Sequence, residues 1–408
     1  MVTSTASSPA TTGVAAGRPQ PQTTVEAPGG PFIRHSQDGR RSQYIAQPSF
    51  GGLVANPMVA SPGYNKGYRL KVTAATQGAT VATLIVGGDG VFPVGQLVTL
   101  KDAFGTPIIV APGFHAFYLI PMLSGQFGVD ETQDISSLPS WSQASTATGA
   151  FQFSTYLPWE FSKAYGLISG ANASLLPTLQ VNVGPTSSIW STLTGTAPTL
   201  SFQLDVDFYW LPQGVAVEPP GIGTTCQWVL QPCNPTIGSS GALNVQLPRL
   251  GGYLTTMIFE LRNALGLRCT ENGTTDIGWP ARPRFLVDGV PLVDTDIQTL
   301  FDDMAIGMSI GSVPGAIPAG LKSAAGTAGT VQISKPNGVI SLTRKTALNQ
   351  RMFGLLESGE IFLSTNPGTQ IEVAGFPWGT LLNAPATLNA LVGQVVPSGQ
   401  LIQGLPEV

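Results

Sequence analysis

The chain has 408 residues, 42 % of them hydrophobic and only 10 % charged, with 49 glycines, 34 prolines and a formal net charge of −4. That length fits two domains or three small ones, and the apolar share can bury a large core. So much glycine and proline excludes an all-α protein, and the negative balance excludes a strongly basic nucleic-acid binder. Three cysteines and two histidines leave little material for disulfide or metal chemistry.

Residues 1–62 read as an extended N-terminal arm. Met1 to Gly17 are rich in Ser, Thr and Ala and lack the basic and apolar regions of a secretory signal. The stretches Pro19-Gln20-Pro21-Gln22 and Pro28-Gly29-Gly30-Pro31 interrupt any apolar periodicity. In the first fifty residues Arg18, Arg34, Arg40 and Arg41 oppose Glu26 and Asp38, a balance of +2. Phe32, Ile33, Tyr44, Ile45 and Phe50 lie among these arginines. Two readings stand: a floppy tail, or an arm that orders against neighbours or an anionic surface. On the second, the interaction residues are Arg34, Arg40, Arg41, Tyr44 and Phe50.

From Gly63 short period-2 runs begin. Tyr68, Leu70 and Val72 alternate with Arg69, Lys71 and Thr73. Leu200, Phe202, Leu204, Val206 and Phe208 alternate with Ser201, Gln203, Asp205 and Asp207, and Leu179, Val181 and Val183 follow the same plan. Such alternation puts one face on a core and the other toward water. Further strands are expected at 80–86, 96–101, 107–111, 114–120 and 150–157, which makes eight over 63–213 and indicates a sandwich or barrel.

Residues 214–243 hold Pro219-Pro220-Gly221, Pro232, Pro235, Gly238 and Gly241 and read as a linker. A second domain over 244–378 repeats the plan, with strands expected at 253–261, 284–287, 290–293, 329–335, 338–343, 352–356, 360–364 and 369–374. Asp288-Gly289 and Asn337-Gly338 supply tight hairpin turns. Ile297, Leu300, Phe301 and Met304 have helical spacing, with Asp294 or Thr295 placed as the cap.

Residues 379–408 read as a tail without charge before Glu407, and 164–204 are equally neutral. Long uncharged stretches suit surfaces buried between subunits, because interface cores are depleted in charge. The competing reading is solvation by Ser, Thr, Asn and Gln.

Catalytic patterns are weak. Gly307-Met308-Ser309-Ile310-Gly311 matches a nucleophile elbow in letters, but both histidines, His35 and His115, lie upstream and the flanking elements are wrong. Asp205 and Asp207 read as the polar face of a strand. Asp130, Glu131 and Asp134 share one loop that could offer oxygen ligands to a hard cation, and Asp302 and Asp303 are adjacent. Cys226, Cys233 and Cys269 fit no zinc or redox spacing. No phosphate-binding glycine loop is present. The longest apolar run, 108–123, is broken by Pro112, Gly113, His115 and Pro121, so a soluble chain is expected.

The segment Gly67-Tyr68-Arg69-Leu70-Lys71-Val72-Thr73-Ala74-Ala75 resembles the opening strand of the first domain in major capsid proteins of the tectivirus type, from tail-less phages with an internal membrane. The likeness continues in order through Phe153–Pro158, Leu200–Pro212, Gly252–Leu265 and Phe353–Val373, about two-thirds of the chain. It implies an all-β subunit of two eight-stranded jelly rolls side by side with few short helices. It also implies a homotrimeric, pseudo-hexagonal capsomer that tiles an icosahedral shell in the virion, on subunits made in the host cytoplasm. The implied partners are further copies of the chain, vertex (penton) and minor capsid proteins, and the internal membrane through the N-terminal arm. No enzyme activity, cofactor or specific nucleic acid is implied. The residues alone also fit a two-domain β-sandwich enzyme or lectin acting on carbohydrate, or a phage spike or receptor-binding protein.

Overall fold

The computed structural model describes residues 30–56, 63–85, 89–102, 105–123, 134–135, 145–160, 164–169, 177–215, 217–220, 224–233, 236–237, 243–248, 252–262, 266, 279–297, 299–300, 321–322, 339–343, 363–365, 368–376 and 387–397. Sixteen strands among them carry the architecture. The first eight are β1 (Gln37–Ala46), β2 (Leu53–Asn56), β3 (Tyr64–Ala75), β4 (Gly95–Lys101), β5 (Pro107–Ala111), β6 (Phe151–Pro158), β7 (Thr178–Val183) and β8 (Thr199–Trp210). The second eight are β9 (Thr224–Cys233), β10 (Leu243–Gln246), β11 (Gly252–Arg262), β12 (Arg282–Val287), β13 (Val290–Asp294), β14 (Val339–Thr343), β15 (Ile371–Phe376) and β16 (Thr387–Pro397).

The two sets repeat one order. In the first, β1-β8-β3-β6 form one sheet and β2-β7-β4-β5 lie together in another. In the second, β9-β16-β11-β14 and β10-β15-β12-β13 follow the same sequence, strand for strand. Eight antiparallel strands passing between two facing sheets in this order make a jelly roll. The chain is all-β, a double jelly roll.

The first core comes from the inward faces of these sheets. Tyr68, Leu70, Val72 and Ala74 of β3 and Leu200, Phe202, Leu204 and Val206 of β8 are buried, as the alternation requires. Val98 and Leu100 of β4 and Leu179, Val181 and Val183 of β7 face them across the barrel. The second core gathers Met257, Phe259 and Leu261 of β11, Leu388, Ala390 and Val392 of β16, and Phe285 and Val373 from the facing sheet. The Phe259 and Phe285 rings meet at 4.8 Å.

The barrels share a wall. β5 lies parallel to β9, with Ile109 opposite Trp228 and Val110 opposite Val229. The β2-β7-β4-β5 sheet therefore runs on into β9-β16-β11-β14. Leu363–Thr365, on the flank of β11, completes a nine-stranded sheet. Cys226, Trp228, Ile258, Val339 and Leu391 point out of the second barrel and join the core of the first.

Several expectations change. The extended arm expected over 1–62 contains two strands of the first barrel, since β1 pairs with β8 along its length and β2 with β7. β1 is a polar edge strand whose apolar support comes from β8. It therefore shows no alternation of its own. The linker expected over 214–243 contains β9, and the tail expected over 379–408 contains β16. Thr225–Val229 and Leu388–Gln394 are buried at every residue, because these strands are covered on both faces, and a doubly covered strand loses period 2. Their lack of charge is thus accounted for inside one chain. Among the described residues the first barrel spans 37–210 and the second 224–397.

The strand expected at 114–120 is a helical turn, Phe114–Leu119, running into Ile120–Leu123. Six consecutive buried residues between two sheets suit a helix and would be wasted on a strand with one open face. Gly113 starts it, and a Cβ there would collide with the carbonyl oxygens of Phe92 and Gly95. Val81–Leu84 is a strand as expected, but it pairs with Trp190–Thr194 in a separate ribbon. The Asp288-Gly289 hairpin has positive φ at both residues, 51° and 77°. Ile297 and Leu300 are buried in the second core, and Asp296 caps their turn, its carboxylate accepting from the Thr299 N–H at 3.3 Å. The expected strands 329–335 and 352–356, Asn337-Gly338, Phe301 and Met304 lie outside the described residues.

Candidate assembly surfaces

The expected interaction residues separate into three settings. Arg34 is exposed on the short helix Gly30–His35. That helix is anchored by Phe32, which is buried between the rings of Tyr64 and Tyr209 at 5.4 and 5.7 Å. Arg40 and Arg41 are neighbours on the exposed edge strand β1. Tyr44 pairs through its backbone with Leu204, past a bulge. Phe50 turns inward instead and meets Trp190 edge-on at 5.5 Å, so it serves the first core.

A charged lattice covers the outer face of the β1-β8-β3-β6 sheet. Arg40 Nε donates to Asp207 at 2.6 Å, and Arg69 donates to the other oxygen at 3.5 Å while lying 5.5 Å from the Tyr156 ring centre. Lys66 bridges Asp38 at 3.1 Å and the Tyr209 ring at 4.2 Å. Behind it, the Tyr209 hydroxyl and the Ala164 N–H both donate to Glu160, at 3.1 and 2.7 Å. Burial pushes the Glu160 carboxyl up from its ordinary range, against the pull of those bonds and of Lys66. Burial raises the Tyr156 and Tyr209 phenols as well. Asp207 is thus occupied in this face, in line with the expected polar side of a strand.

A second polar group is buried between the barrels, and none of its residues is among the expected site residues. Arg262 Nη2 lies 2.7 Å from Asp89 and contacts Glu260, while its Nη1 donates to the Gly266 carbonyl at 2.8 Å. His115 Nε2 stands 2.6 Å from the far oxygen of Glu260, which also accepts from Asn389 at 3.5 Å. Burial alone would lower the Arg262 pKa, but the charges of Glu260 and Asp89 outweigh it and raise the value. Asp89 and His115 belong to the first barrel; Glu260, Arg262 and Asn389 belong to the second. The signal available was the alternation of Glu260 and Arg262 with Met257, Phe259 and Leu261, two charges on the outward side of a core strand.

Sheet edges carry much of the exposed apolar surface. Ile45 on β1, Leu53 on β2, and Val290 and Leu292 on β13 are all exposed. Among the described residues no three His, Cys, Asp or Glu side chains gather as a metal site, and no helix is long and apolar enough to cross a membrane. Ser309, Asp130, Glu131, Asp302, Asp303 and Cys269 lie outside the described residues. Of Asp134 only the backbone is described, and it pairs with Lys322.

No family model and no curated protein matches the chain. Solved structures do. The atomic structure of Sulfolobus turreted icosahedral virus (STIV) is similar over 88 % of this chain and 91 % of that one, at 12 % identity and a TM-score of 0.55. The crystal structure of the STIV MCP covers 88 % and 97 %, at 12 % identity and a TM-score of 0.54. PBCV-1 VP54, fitted into a reconstruction of the virophage Sputnik, covers 91 % and 97 %, at 11 % identity and a TM-score of 0.53. At such identities the likeness establishes the fold, the double jelly roll of these viral major capsid proteins.

Proposed function

We propose that this chain is a major capsid protein whose trimers form pseudo-hexagonal capsomers in the icosahedral shell of a virion. The observation that carries it is the repeat itself. One barrel is built twice in the same strand order, and the copies are fused side by side through β5 and β9. Three such chains present six nearly equivalent lobes, an outline that tiles a surface. The fold likeness to viral major capsid proteins supports a role in the coat.

The resemblance to the tectivirus type adds finer parts: an internal membrane beneath the shell, contacts with vertex and minor capsid proteins, and assembly from subunits made in the host cytoplasm. The segment before Gly30 and Arg34 on the first helix are the parts of the arm left to meet them, since β1 and β2 belong to the barrel. The work of such a protein is self-complementary burial, and a permanent coat contact covers roughly 2,000 Å² or more. Native mass spectrometry of the purified full chain, followed by electron microscopy of the species found, tests this. A stable trimer of hexagonal outline is expected. A monomer at micromolar concentration would overturn the proposal.

A further inference from the structure

The chain already contains one seam between jelly rolls, and among the described residues two edge strands match the two sides of that seam. We propose that β13 of one copy seats beside β1 of the next, in the way that β5 sits beside β9 within a single chain. This rests on the coat-subunit reading and names the surfaces through which its copies meet.

β5 and β13 are the same strand of the repeat. Each is the second strand of a hairpin, each carries an early proline, and each hairpin is bulged at the same place. The bulge falls between Leu100 and Lys101 in the first hairpin and between Phe285 and Leu286 in the second. Pro107 therefore corresponds to Pro291, Ile108 to Leu292, Ile109 to Val293 and Val110 to Asp294. Burial separates the pairs. Ile108 and Ile109 are 0 % exposed, whereas Leu292 is 42 % exposed and Val293 is only partly buried. The difference tracks the neighbour: β9 runs along β5, while β13 is the last of the described strands in its sheet.

β1 corresponds to β9, each being paired to the final strand of its barrel. Counting back from Ala46 and Cys233, and allowing for the bulge between Ser42 and Tyr44, sets Arg40 against Trp228 and Arg41 against Val229. This keeps the faces in step. Arg40 binds Asp207 on the outer side of its sheet, and Trp228 points out of its own barrel into the first core. β1 is likewise the last of the described strands in its sheet.

Transferring the internal register to these edges brings Val293 beside Arg40 and Asp294 beside Arg41. The apolar neighbours Val110 and Val229 become an aspartate and an arginine. Asp294 already binds Arg282 and Arg284 at 2.7 and 3.3 Å, both through Oδ1. An apolar seam inside the chain is thus matched by a charged one between chains, which steers encounter and fixes register. Pro291 removes a backbone donor from β13, which discourages two β13 edges from pairing with each other. Each copy offers β13 to one neighbour and β1 to another, a heterologous contact that closes into a ring when the rotation permits.

The test uses the full chain. The Arg41→Cys/Asp294→Cys double variant, under mild oxidation, is expected to give covalently linked species that end at the trimer, with none from either single variant. Asp294→Arg is expected to raise the concentration at which the trimer dissociates by about ten-fold or more, and adding Arg41→Asp to restore it. Circular dichroism checks that these exposed substitutions leave the fold intact. A wild-type trimer with no link in the double variant, and with Asp294→Arg dissociating like the parent, would overturn the seam while leaving the coat reading in place. A wild-type monomer removes the coat reading, and the seam with it.

Discussion

Arg262 is the residue on which the join between the barrels turns. Its guanidinium answers Asp89 from one barrel and Glu260 from its own strand, and all three side chains are largely withdrawn from water. Removing one partner of a buried ionic group leaves the others charged and unpaired, at a cost of about 3–5 kcal/mol. Arg262→Met is expected to lower the stability measured by urea unfolding by that amount, with the slope of the transition unchanged. Glu160 gives a pH signature of opposite origin. Its carboxyl titrates higher in the folded chain than in the unfolded one, so folding binds a proton and stability falls as pH rises through that interval. Glu160→Gln, which keeps an acceptor for Tyr209 and Ala164, is expected to melt above the parent at pH 7. The gap should close as pH drops below about 4, where both states of the parent are protonated. A constant gap across that range would mean that desolvation of Glu160 is not its cause.

At the scale of elements, legibility followed coverage. β3 and β8 were readable because each has one wet face, so Tyr68, Leu70 and Val72 or Phe202, Leu204 and Val206 alternate with polar neighbours. β9 and β16 were hidden because neither has a wet face. Their prolines, glycines and uniform neutrality read as linker and tail. β1 was hidden for the opposite reason: Asp38, Arg40, Arg41 and Ser42 are polar, and only the pairing with β8 reveals a strand. Of the five residues expected to interact, the exposed Arg34, Arg40 and Arg41 stay available to a partner. Phe50 misled, because an aromatic in a polar stretch can turn inward as readily as outward. β13 was found as a strand but could not be recognised as a surface. Its exposure depends on which strand lies beside it, and sheet order is not written in any local pattern.

For the whole molecule, the shared wall decides how the barrels fail. The first core includes Trp228, Ile258 and Leu391 from strands of the second barrel, so neither lobe can open without exposing the other. One cooperative unfolding transition is expected by calorimetry, with the calorimetric and van't Hoff enthalpies equal. Two resolved peaks would show that the lobes are energetically separate.

The continuity of β5 with β9 also governs mechanics. Backbone hydrogen bonds and packed side chains stiffen the middle of the molecule against hinging, as cross-grain glue stiffens a board. In a closed container made of such boards, any change of slope has to be absorbed at the joints between molecules. Curvature would then be set by how neighbours tilt against one another, with each chain keeping its own shape throughout.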